Sequence, residues 1–98
     1  MENAMNFGDA ITALKNGKKL ARQGWNGKGM FILQAGGYTV HKDDLRVGGP
    51  ITKEFLESRG VDEMVIQHHF DMWTAQNQYQ TGWLASQSDM QANDWVVV

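Results

Sequence analysis

The side chains that could do chemistry are few and poorly spaced for it. His68 and His69 are adjacent in a stretch that reads as a strand, so they point to opposite faces, and His41 stands alone. No His-Glu-x-x-His or comparable ligand spacing is present. With no cysteine in 98 residues, disulfides, thiolate zinc sites, iron–sulfur clusters and cysteine nucleophiles are excluded. Ser86, Ser88 and His68 lack the Gly-x-Ser-x-Gly setting of a nucleophile elbow, and no two carboxylates occupy a recognisable acid–base arrangement. The expectation is a chain with no catalytic residue, no metal ligand and no cofactor.

Two segments instead suit binding. Gln23-Gly24-Trp25-Asn26-Gly27-Lys28-Gly29 concentrates glycine around an Asn-Gly pair. Such a loop brings backbone N–H groups close to a ligand and can form an anion nest. Lys28 adds positive charge and Trp25 a flat surface. The spacing is that of neither a Walker loop nor a dinucleotide fingerprint. The same residues also suit a plain hairpin loop with Trp25 covering the core. In Trp83-Leu84-Ala85-Ser86-Gln87-Ser88-Asp89, a strand feeds a capped helix start, where free N–H groups and the helix dipole favour phosphate. Asp89 opposes an anion but suits a ribose hydroxyl or a base amino group. Alternatively, Ser86 only caps and Trp83 only packs. Four tryptophans are many for so short a chain, and each buried indole N–H needs an acceptor. They fit a planar-ligand pocket, an oligomer interface or the core.

The elements that position these segments follow from periodicity and caps. Ala10, Ile11 and Leu14 share a face, Asn6 is an N-cap and Gly17 a stop, which predicts a helix over 7–16. Strands are expected at 18–22 and 30–35. Gly36-Gly37 reads as a hairpin turn with 38–41 as the returning strand. After a polar loop at 42–50, Thr52 caps a short helix over 53–59 with Phe55 and Leu56 inward and Gly60 at its end. Residues 64–74 alternate and read as one long strand, 76–80 as a turn and 81–84 as another strand. Ser86-x-x-Asp89 is a capping-box variant opening a helix over 87–92, and 94–98 is a closing β segment. The sum is an α+β fold: a small antiparallel sheet with two or three short helices in a single domain, 1–98.

Composition agrees with a folded domain: 42% hydrophobic, 20% charged and one proline. A net charge of −2 argues against a general binder of long nucleic acids. The charge is unevenly spread. Residues 1–30 hold Lys15, Lys18, Lys19, Arg22 and Lys28 against Glu2 and Asp9, whereas 59–98 hold Arg59 against Asp62, Glu63, Asp71, Asp89 and Asp94. This is a plain solvated surface, a basic half that faces a small anion, or a pairing of unlike halves between subunits. The N-terminal residues lack the apolar stretch of a signal peptide, and no apolar run approaches the roughly 20 residues of a membrane span. A cytoplasmic protein that does not use a membrane is expected.

Two sets of motifs carry a family resemblance. The first is Met5-Asn6-Phe7-Gly8-Asp9-Ala10, Gly17-Lys18-Lys19 and Gly24-Trp25-Asn26-Gly27-Lys28-Gly29-Met30. The second is Asp71-Met72-Trp73-Thr74-Ala75, Trp83-Leu84-Ala85-Ser86-Gln87-Ser88-Asp89-Met90 and Asp94-Trp95. Nearly end to end, the chain resembles the small phage family Thoeris anti-defence protein two. The resemblance implies a sponge and not an enzyme: a homo-oligomer, a tetramer, that sequesters a cyclic ADP-ribose isomer made as an immune messenger by a TIR-domain protein. The messenger would be held uncleaved and kept from its effector in the infected bacterial host. The other readings are sequestration of cyclic oligonucleotide messengers and protein–protein inhibition of a defence enzyme. The expected ligand-binding set is Phe7, Trp25, Asn26, Gly27, Lys28, Gly29, Met30, Trp73, Trp83, Ala85, Ser86, Gln87 and Asp89. Within it, Trp25 with Phe7 or Trp83 would sandwich the base, and Asn26, Lys28, Gly29 and Ser86 would hold phosphate or ribose.

Overall fold

The computed structural model describes residues 4–98; the first three residues, with Glu2 of the charge pattern, lie outside the described residues. The chain is α+β, as its patterning predicts. Its elements in order are α1 (Phe7–Lys15), β1 (Leu20–Arg22), β2 (Phe31–Ala35), β3 (Tyr38–His41), a 3-10 turn (Lys42–Asp44), α2 (Lys53–Ser58), β4 (Glu63–Ile66), β5 (His69–Trp73), β6 (Tyr79–Gln80), α3 (Gln87–Gln91) and β7 (Trp95–Val97). The described residues form two compact units. One joins the two ends of the chain, up to Ala35 and from His69 onward; the other is Gly36–His68.

The first unit is a five-stranded antiparallel sheet in the order β6-β5-β2-β1-β7. Its register explains the core. Leu20 pairs with Ile32, and Ile32 with Met72, so these three side chains share one face. Ala10 and Leu14 of α1 pack on that face together with Trp95, and all six residues are buried. α1 forms where its sequence predicts: the Asn6 side chain accepts from the Asp9 N–H at 2.8 Å, and the helix ends one residue before Asn16. Phe31, Leu33 and Ala35 of β2 and Ala21 and Val96 of the neighbouring strands alternate with the core set and take the opposite face.

The second unit is a two-stranded antiparallel ladder, β3 with β4, plus α2. Thr52 caps α2 by accepting from the Phe55 N–H at 3.1 Å, as its sequence predicts. Lys42 ties the unit together, its ammonium 3.3 Å from Glu57 and 3.2 Å from Asp62. Leu56 is buried, but Phe55 is not inward as expected: it is exposed, with the Arg59 guanidinium over its ring.

Three strand expectations are corrected. The Tyr38–His41 strand does not return along β2. Gly36 and Gly37 both adopt positive φ, and the Gly37 N–H donates to the Ile66 carbonyl at 2.7 Å, which commits the chain to β4. A side chain at Gly37 would overlap the His68 ring, so this crossing also requires glycine. The long strand over 64–74 is two strands, interrupted at Gln67-His68, with partners in different sheets. Alternation hid the break because Met64, Ile66, Phe70 and Met72 keep the same parity across it. Residues 81–84 are not a strand: Gly82, at φ 77°, turns its N–H to the Asp71 carboxylate at 2.7 Å.

The packing assigns stability to the core face of the larger sheet. Ile32→Ala removes a fully buried side chain and is expected to cost about 2–5 kcal/mol, whereas Val65→Ala, at an exposed position, should stay within about 0.5 kcal/mol. Urea unfolding of the two variants checks this; equal losses would contradict the core assignment.

Candidate functional site

The site is built around a buried carboxylate. Ser86 and Asp89 form a full capping box at the start of α3: the Ser86 hydroxyl accepts from the Asp89 N–H at 3.1 Å, and Asp89 Oδ2 accepts from the Ser86 N–H at 3.0 Å. The other oxygen, Oδ1, accepts from Arg22 Nη1 at 2.9 Å and from the Trp25 indole at 3.2 Å. Arg22 also donates through Nε to Asp94 at 2.9 Å, and the second Asp94 oxygen accepts from the Gly24 N–H at 2.8 Å. The basic N-terminal and acidic C-terminal stretches therefore meet within one chain, at Arg22.

These contacts set the charge states. Burial disfavours the ionised form of Asp89, but the hydrogen bonds from Ser86, Arg22 and Trp25 outweigh it and hold the carboxyl below its ordinary range. For Asp94, burial is likewise outweighed, by Arg22 and the Gly24 N–H. Arg22 is pushed above its ordinary value, by Asp94 first and Asp89 second. A third acid, Asp71, is almost fully buried and accepts from the Tyr79 hydroxyl, the Gly82 N–H and His69 Nε2. Its partners overcome the burial penalty and lower its carboxyl too. Asp71 fixes the turn that leads to Trp83, whose N–H donates to the Phe70 carbonyl at 2.7 Å.

Above this anchor three indoles and a phenyl ring form one cluster. Trp95 is its buried centre, and its indole donates to the Asp89 carbonyl at 3.0 Å. Trp25 and Trp83 meet Trp95 edge to face, with ring centres 5.4 and 6.1 Å away, and Phe7 lies at 5.6 Å. Trp25 and Trp83 also touch each other edge to face at 6.4 Å. Rings in direct contact leave no slot for a base between them. Trp73 is elsewhere, stacked on Phe31 at 6.5 Å, with the Lys19 ammonium 5.2 Å from the Phe31 ring centre.

Beside Trp25 lies a cavity of about 510 Å³. Trp25 to Phe31 line it along one side, and Ala21, Arg22, Gln23, Val96 and Val98 complete it. Its apolar strand residues come from the sheet face opposite α1. The loop crosses it under tight constraint, because a Cβ on Gly27 would overlap Met30 Sδ and stand 2.9 Å from Ala75 Cβ. Asn26, Lys28 and Gly29 are exposed. The four successive backbone N–H groups of Asn26, Gly27, Lys28 and Gly29 have no acceptor among the described residues, and Lys28 makes no ion pair there.

The cavity thus gathers Trp25, Asn26, Gly27, Lys28, Gly29 and Met30 from the predicted set. Phe7, Trp83, Ala85, Ser86, Gln87 and Asp89 gather behind Trp25, in or next to the aromatic cluster and its anchor, and do not line the cavity. Trp73 reaches it only through Phe31. Sequence reasoning missed Phe31, Val96 and Arg22. Alternation marks the face each occupies, but their convergence depends on β1 pairing with both β2 and β7.

Residues 5–98 match the Thoeris anti-defense 2-like domain. The chain belongs to the Thoeris anti-defense 2-like family. A relative from Bacillus phage SP01 named Thoeris anti-defense 2 is 32% identical over 100 residues, covering 100% of this chain and 99% of that protein. Family membership assigns the chain a role in Thoeris anti-defence. Among the described residues, no helix is long and apolar enough to cross a membrane.

The anchor makes a direct prediction for this family member. Asp89→Asn keeps the size but leaves one carbonyl oxygen to serve both Ser86 and the Arg22–Trp25 pair, at an expected cost of about 1–3 kcal/mol. The pH dependence follows from the lowered carboxyls. The unfolded chain takes up protons first, so stability is fully present above about pH 4 and falls as pH drops through the folded values of Asp71, Asp89 and Asp94. Urea unfolding at a series of pH values should show this fall, shallower in Asp89→Asn; parallel curves would contradict the anchor's role.

Proposed function

We propose that the protein binds and sequesters a cyclic ADP-ribose isomer without cleaving it. The observation that carries this reading is the run of four backbone N–H groups without an acceptor among the described residues, beside Lys28 and Trp25, at the edge of a cavity large enough for a nucleotide. Successive N–H groups hold a pyrophosphate with little net charge on the protein, which suits a chain of net charge −2. Trp25 and Phe31 offer aromatic surface for adenine, and Val96 and Val98 an apolar floor. The Arg22–Asp89–Asp94 anchor preorganises the loop root, so little freedom is lost when the ligand arrives.

The magnitudes are consistent with a sponge. Nanomolar retention needs about −12 kcal/mol. Stacking of a base on an aromatic ring contributes roughly 1–3 kcal/mol per contact. Even two such contacts leave over half to the phosphates, the riboses and enclosure. Enclosure favours a homo-oligomer, in which a second copy closes the open side next to the exposed Val98. We read the working form as a tetramer.

Titration calorimetry with the purified protein and the cyclic ADP-ribose isomer tests the reading. Saturable heat is expected, with the ligand recovered intact after denaturing the complex. Lys28→Ala should weaken binding roughly five- to tenfold with unchanged thermal stability, as about 1 kcal/mol of charge attraction is lost. No binding would overturn the proposal, and cleaved ligand would make the protein an enzyme. Saturable heat only with cyclic oligonucleotides would reassign the ligand. Light scattering tests the assembly: a particle several times the 11.0 kDa chain mass is expected, and a monomer would contradict the shared pocket.

A further inference from the structure

The chain carries two Asn-Gly pairs, Asn16-Gly17 and Asn26-Gly27. This dipeptide is prone to cyclise, because the glycine nitrogen can attack the asparagine side-chain carbon with no Cβ in the way. Asparagine is for this reason among the chemically labile residues. Both asparagines are exposed, but the structure treats their glycines differently.

The Gly17 N–H closes α1. It donates to the Leu14 carbonyl at 3.0 Å, with Gly17 held at φ 88°, while the Asn16 N–H donates to Thr12 and Ala13 at 3.1 Å. Gly17 must give up a helix-capping hydrogen bond before its nitrogen can react. The Gly27 N–H has no acceptor among the described residues, and the Asn26 side chain has no hydrogen-bond partner there. The close neighbours of Gly27, Met30 and Ala75, lie on the side where a Cβ would be.

We propose that Asn26, and not Asn16, is a self-modifying site whose deamidation switches off the anion-binding loop. The Gly27 nitrogen bonds to Asn26 Cγ, the Cγ–Nδ2 bond breaks, and Nδ2 leaves as ammonia with the amide proton. Solvent water then opens the five-membered imide. Attack at Cγ gives aspartate. Attack at the backbone carbonyl carbon gives isoaspartate, which also lengthens the loop backbone by one methylene. Nothing is oxidised or reduced. Either product places a carboxylate beside Lys28 and the four unpaired N–H groups, where it competes for them and repels an anion. The loss of binding rests on the function proposed above; the choice of Asn26 over Asn16 does not.

The full-length protein is incubated at mildly alkaline pH and physiological temperature and followed by peptide mass spectrometry. Conversion at Asn26 is expected well before Asn16, and the difference should vanish in denaturing urea. Asn26→Gln should abolish the early phase. Equal rates in the folded protein, or faster conversion at Asn16, would overturn the site. The deamidated fraction, separated by ion exchange, and the variant Asn26→Asp are then titrated with the cyclic ADP-ribose isomer. Each should bind roughly tenfold more weakly than fresh protein, the effect of one added charge near an anion. Unchanged affinity would overturn the switch. Fresh protein that fails to bind would count against the proposed function and leave the selectivity at Asn26 standing.

Discussion

The carboxylate of Asp89 holds together parts of the chain that are far apart in sequence. One oxygen closes the cap of α3 on Ser86, and the other takes the Arg22 guanidinium and the Trp25 indole. Its own backbone carbonyl receives the indole of Trp95 at the centre of the aromatic cluster. The last helix, the end of β1, the root of the glycine loop and the core are thereby fixed to one residue. A half-buried ion pair contributes modestly to stability, and its value here is geometric. It leaves Trp25 and the residues after it in one place relative to the sheet.

That placement separates two jobs the aromatic residues might share. Trp83 and Phe7 both pack against Trp95 behind Trp25. Trp25 alone of the cluster also lines the cavity. On the far face of the sheet, Phe31, Trp73 and Lys19 make a second aromatic stack that reaches the cavity through Phe31. Between these two surfaces runs a loop in which the backbone N–H groups of Asn26 to Gly29 have no acceptor among the described residues. A rigid root and an open rim are what the proposed binding of an anion with a flat end requires.

Much of this is legible in the sequence. The caps at Asn6, Thr52 and Ser86 were legible because each is a local contact between a side chain and an N–H three residues on. The glycine loop was legible because its composition suits few other conformations. Strand partners were not. Period-two patterning names the two faces of a strand and is silent about its neighbour, so it points β3 to β2 and does not show the break between β4 and β5. The sequence suggests a ligand contact at Asp89, and in the fold its oxygens accept from Ser86, Arg22 and Trp25. That pairing spans most of the chain and leaves no local trace. The floor of the cavity, from Ala21, Phe31, Val96 and Val98, was hidden for the same reason.

In the proposed function, the backbone amides of the glycine loop hold the anionic part of a cyclic ADP-ribose isomer. Amide proton and nitrogen shifts, recorded while that ligand is titrated into isotopically labelled protein, test this atom by atom. The largest changes are expected at the N–H groups of Gly27, Lys28 and Gly29, with the Trp25 indole shifting alongside. Binding that leaves those amides unmoved and perturbs residues 36–68 instead would contradict it.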